Sequence, residues 1–101
     1  MTKKQVTDAL NKVPGWDIKT FNSNRKLHGG FKGFVDHVAI CPHKGLIVFV
    51  EVKLGADRLS DKQTEYKSML ERVERNNDKF YYFVLTDKNL VDVLEWMARN
   101  S

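Results

Sequence analysis

Residues 46–54 read Leu46-Ile47-Val48-Phe49-Val50-Glu51-Val52-Lys53-Leu54. Five apolar residues in succession, rich in β-branched and aromatic side chains, form a strand apolar on both faces. That pattern belongs to a central strand covered from both sides. Glu51 and Lys53 then break the run at its C-terminal end. Two residues apart on a strand, they point to the same face. A carboxylate and an ammonium beside a buried run are costly unless they are paired or used.

The preceding segment, residues 34–40, reads as a second strand. Cys41-Pro42-His43-Lys44-Gly45 between the two has turn chemistry, so a hairpin is the economical connection. With the turn centred near His43-Lys44, residues whose numbers sum to about 87 face each other, and Asp36 stands opposite Glu51. Opposed carboxylates in a sheet repel. A divalent cation would turn that repulsion into a binding site, because hard oxygen ligands suit Mg²⁺ or Mn²⁺. Lys53 beside the pair could offset its charge, orient a water or stabilise negative charge developing on phosphorus. Taken singly, each of these residues reads as a solvated surface charge or a strand-end ion pair. Taken together in this strand they read as a site.

Outward from the hairpin, residues 2–13 carry Val6, Ala9, Leu10 and Val13 at helical spacing, and Pro14-Gly15 ends the helix. Residues 16–21 alternate loosely as a strand, and residues 22–33 form a polar, glycine-bearing loop. On the other side a helix is predicted over 60–75, opened by a Ser60–Gln63 capping box. Gln63 also begins the stripe Gln63, Tyr66, Leu70, Val73 and should lean toward the sheet. Phe80-Tyr81-Tyr82-Phe83-Val84-Leu85 is a strand, and a last helix spans 88–99. The order αβββαβα predicts an α/β three-layer sandwich with a mixed central sheet. The crossover helix should set the last strand parallel to an earlier one.

The chain has 101 residues, which fits a single domain over 1–101. The net charge is +4. Through residue 45 there are eight Lys or Arg against three acids, and from residue 46 onward nine against ten. A basic excess of this kind attracts a polyanion, of which nucleic acid is the commonest. The loop before the Asp36 strand holds Arg25, Lys26, His28 and Lys32 beside Phe31 and three glycines, a cationic track that could meet a phosphate backbone. No apolar run approaches a membrane span. Met1-Thr2-Lys3-Lys4 has no apolar stretch behind it, so it does not read as a signal peptide. The lone Cys41 leaves no intrachain disulfide, and cytoplasmic localisation is expected. His37, Cys41 and His43 match no common closed zinc site. Trp16, Trp96 and the aromatic run 80–83 read as core.

The series Gly33-Phe34-Val35-Asp36, Phe49-Val50-Glu51-Val52-Lys53 and Leu59-Ser60-x-x-Gln63 resembles the PD-(D/E)XK nuclease superfamily, and within it the stand-alone VRR-NUC domains found largely in phages. The resemblance covers roughly residues 2–87. It implies a restriction-endonuclease-like fold and Mg²⁺-dependent phosphodiester hydrolysis, with Mn²⁺ able to substitute. Asp36, Glu51 and the Val52 backbone carbonyl would be metal ligands, Lys53 would position or activate the attacking water, and Gln63 would support the site. It further implies a homodimer acting on structured DNA, including four-way (Holliday) junctions, and a phage-encoded protein working in a bacterial host. Two features depart from the family. Val35 stands where the superfamily name has Pro. The first helix, which commonly supplies a Glu, has Asp8 as its only acid, leaving Gln5 as the possible contributor. That departure supports a rival reading, a catalytically silent DNA-binding module. A weaker third is an interaction domain with a structural Glu-Lys pair.

Overall fold

The computed structural model describes residues 1–21 and 35–101. Arg25, Lys26, His28 and Lys32 lie outside the described residues. The element order is α1 (Lys3–Asn11), β1 (Asp17–Thr20), β2 (His37–Cys41), β3 (Leu46–Val52), α2 (Asp61–Asn76), β4 (Phe80–Leu85) and α3 (Leu90–Arg99). The four strands form one mixed sheet in the order β1-β2-β3-β4. β1 and β2 are antiparallel, as are β2 and β3. β4 lies parallel to β3, as expected of a strand reached through a helical crossover.

The β2–β3 hairpin turns over Pro42–Gly45. Lys44 N–H donates to Cys41 O and Gly45 N–H to Pro42 O, both at 3.2 Å. Gly45 has φ of 67°, a left-handed conformation that costs a glycine nothing. The turn sets His37 opposite Val50 and Cys41 opposite Leu46, the expected register. Several ends differ from the sequence reading. The first helix begins at Lys3 because Thr2 is its cap: Thr2 Oγ1 accepts from Gln5 N–H, and Gln5 Oε1 accepts from Thr2 N–H. β2 begins at His37 instead of 34, and Asp36 lies in a bend just before the ladder. There its carboxylate, rather than a strand neighbour, receives the Val52 N–H.

The sheet's two faces are built differently. Ala39, Cys41, Leu46, Val48, Val50, Val52 and Leu85 close on Val6 and Leu10 of α1 and Val93 and Met97 of α3 in one apolar core. Burial of apolar surface, at about 25 cal/mol per Å², makes this face a source of folding free energy. Trp16 Nε1 donates to Met97 O at 2.8 Å, and Trp96 meets Tyr81 and Phe83 edge-on. The opposite face of β3 presents Phe49, Glu51 and Lys53 toward α2. The helix has no fully buried residue of its own. Helices on both faces of the sheet are compatible with a three-layer arrangement. Among the described residues, no helix is long and apolar enough to cross a membrane.

Candidate functional site

The α2 face of β3 ends in a buried carboxyl. Glu51 is 2 % exposed, comparable to the valines flanking it, because α2 and the neighbouring strands cover it. Three groups converge on it. Gln63 Nε2 donates to Glu51 Oε1 at 2.9 Å. Lys53 Nζ lies 3.7 Å from the same oxygen, its side chain only 13 % exposed. Asp36 stands on the third side. Its Oδ2 accepts the Val52 N–H at 2.8 Å, its own N–H donates to Val50 O, and its carbonyl accepts from Phe21 N–H. Asp36 is thus tied by its backbone to β3 and to the end of β1, and by its carboxylate to β3 again.

Gln63 does two jobs with two ends of one amide. Its Oε1 accepts the Ser60 N–H at 2.9 Å, and its N–H donates to Ser60 Oγ at 3.2 Å, closing the capping box of α2. Its Nε2 is then aimed at Glu51. The helix start and the carboxyl's orientation are therefore one structural fact.

Burial pushes the Glu51 carboxyl up to about 8, helped by the adjacent Asp36 charge and by a hydrogen bond in which protonated Glu51 donates to Asp36; Lys53 and Lys3 oppose the shift. The raised value favours the protonated form of Glu51 near neutral pH. Tyr82, opposite Phe49 on β4, is raised to about 12 by burial and then by the charges of Glu51, Glu71 and Asp36. It forms part of the same wall.

The sequence reading had not placed Lys3, Tyr82 or His37 at the site. Lys3 shares a helical face with Val6 and Leu10, three and seven residues on, and its charge is felt at Glu51 and at His37. That spacing was visible in the sequence. Gln5, the proposed contribution of the first helix, is exposed and serves the α1 cap. His37 is 2 % exposed and lies against Thr7 and Thr20. Burial, the largest influence, lowers its pKa, against the raising effect of Asp36.

Among the described residues, no group of three or more His, Cys, Asp or Glu side chains is placed to hold a metal ion. The pair Asp36–Glu51 offers two hard carboxylates. Mg²⁺ is commonly bound by one or two carboxylates with waters and substrate phosphates, so the donor set fits such an ion. No family model, no curated protein and no solved structure matches the chain.

Proposed function

We propose that the chain is a divalent-metal-dependent endodeoxyribonuclease with a restriction-endonuclease-like fold, hydrolysing phosphodiester bonds in branched DNA such as a four-way junction. The observation that carries this reading is the pairing of half-buried Asp36 with buried Glu51, flanked by Lys53 and Gln63. A carboxyl raised to about 8 by burial and a like charge is poorly suited to holding a fold together and well suited to exchanging a proton for a cation. The motif-level resemblance to PD-(D/E)XK nucleases of the VRR-NUC kind assigns the same residues to catalysis and adds DNA as substrate, a homodimer as the working form and a phage protein acting in a bacterial cytoplasm.

In this reading Asp36 and Glu51 hold Mg²⁺ or Mn²⁺, with the Val52 carbonyl as a further donor. When bound, the ion supplies Lewis-acid polarisation of a phosphoryl oxygen and a more acidic water. Gln63 and Lys53 reach the same oxygen of Glu51 and fix the carboxyl's rotation. Lys53 also brings a cation to where negative charge develops during phosphodiester attack. Lys3 adds a second positive charge from α1, and Arg25, Lys26, His28 and Lys32 are the cations that the sequence offers for contact with the DNA backbone.

One observation favours a second reading, a DNA-binding module without activity. The first turn of α1 carries no acid, so that turn supplies no further carboxylate to a metal site. The two separate on one experiment. Labelled four-way-junction, branched, nicked, duplex and single-stranded DNA are incubated with Mg²⁺, Mn²⁺ or chelator, alongside Glu51→Ala. Metal-dependent cutting lost in the variant is the expected result. Binding that survives chelator, with no cutting under any condition, selects the silent module.

A further inference from the structure

His37 sits one residue after Asp36, on the opposite face of the sheet, and it is buried. Both its ring nitrogens meet hydroxyls: Nδ1 is 3.1 Å from Thr20 Oγ1 on β1, and Nε2 is 3.5 Å from Thr7 Oγ1 on α1. Thr7 Oγ1 donates to Lys3 O at 3.0 Å. A hydroxyl has one hydrogen to give, so toward His37 the Thr7 oxygen can only accept. Nε2 must then carry the proton. In a neutral imidazole Nδ1 is left as the acceptor, and Thr20 donates to it. A directed chain follows: Thr20 O–H to Nδ1, Nε2–H to Thr7, Thr7 O–H to Lys3 O. It links β1, β2 and the first turn of α1 at the point where Asp36 leaves the ladder.

We propose that His37, held as its Nε2–H tautomer between Thr7 and Thr20, is a positioning residue that seats the Asp36 carboxylate. The Asp36 backbone is bonded to Val50 O and to Phe21 N–H, and the grip on the neighbouring residue adds a further restraint at the start of β2. Thr7 and Thr20 grip His37 from two elements, and Asp36 is turned to the other face, where Oδ2 receives the Val52 N–H. The catalytic consequence rests on the proposed nuclease reading. The tautomer and the seating of Asp36 do not.

The test is NMR on the metal-free wild-type chain, Thr7→Val and Thr7→Ser. Long-range proton–nitrogen spectra of the imidazole report the tautomer. Hydrogen exchange at the Val52 amide reports the Asp36 seat, because that N–H is bonded to the Asp36 side chain. The Ile47 amide, bonded to Lys79 O at the far end of β3, is the control. The expected result is an Nε2–H ring in the wild type. Thr7→Val should exchange Val52 faster by about three- to tenfold, the equivalent of one hydrogen bond. Ile47 should be unchanged, and Thr7→Ser should behave as wild type. An Nδ1–H ring, an unchanged Val52 rate in Thr7→Val, or equal acceleration at Val52 and Ile47 would overturn the proposal. A wild-type chain that cuts no DNA would remove the nuclease reading and leave each of these outcomes decisive for His37.

Discussion

Val50 and Glu51 are adjacent on one strand, equally hidden from water, and their surroundings are opposites. Val50 packs into hydrocarbon supplied by α1 and α3. Glu51 meets Asp36, Lys53, Gln63 and the wall made by Tyr82. On the first face burial is the source of stability. On the second, burial works against the charged form of the group it hides. A protein that needed only a folded sheet would gain from an apolar residue at position 51. The contrast therefore separates the face that holds the molecule together from the face where chemistry is expected.

The contrast breaks most sharply under paired truncation. Glu51→Ala or Asp36→Ala should lower metal-dependent cleavage by about a thousandfold with the cooperative unfolding transition retained. Val50→Ala should do the reverse, losing about 2 kcal/mol of stability while each folded molecule cuts at close to the wild-type rate. Cleavage kinetics and denaturant melts on the same preparations read both effects.

The pH dependence of stability sharpens the same comparison. A carboxyl whose folded pKa lies above its unfolded value binds its proton more tightly when folded. Stability in chelator should therefore be greatest below the unfolded value of 4.5 and should fall as pH rises toward about 8. Glu51→Gln, which keeps the volume and removes the charge, should flatten that decline. It should be the more stable protein at pH 8. A melt series across this range, wild type against Glu51→Gln, measures it.

Smaller effects separate the two jobs of Gln63. Ser60→Ala should cost about 1 kcal/mol through the lost cap and leave cleavage largely intact. Gln63→Ala should cost a similar amount and also slow cleavage by about tenfold, because Glu51 Oε1 loses a donor. The smallest effect is expected at Lys3. Lys3→Ala should weaken DNA binding by a few-fold, and the slope of log affinity against log salt should become shallower by about one unit.

Much of this arrangement was legible in the sequence, for physical reasons that differ by residue. The apolar run 46–50 announced a central strand. Gly45 fixed the hairpin, and the hairpin fixed the register that sets Asp36 near Glu51. Ser60 and Gln63 announced a helix start whose amide could also reach the sheet. What escaped was non-local. Tyr82 joins the wall only through the parallel β3–β4 register, which no turn specifies. His37 could be read alone only as a stray metal ligand, since its partners Thr7 and Thr20 come from elements thirty and seventeen residues away. Asp36 was expected inside the strand; its backbone stays bonded to Val50 and Phe21, and its carboxylate takes the Val52 N–H. Gln5 was a possible contributor from the first helix, and its hydrogen bonds with Thr2 place it in the α1 cap.

The most direct test of the central claim is calorimetric titration of the chain with Mn²⁺ near pH 7, without DNA, in two buffers of different ionisation enthalpy. The account predicts one cation site per chain, release of about one proton as the ion displaces the one that Glu51 carries, and affinity at least about tenfold weaker in Asp36→Asn and Glu51→Gln. Binding of equal strength in wild type and both variants, or no binding at all, would contradict it.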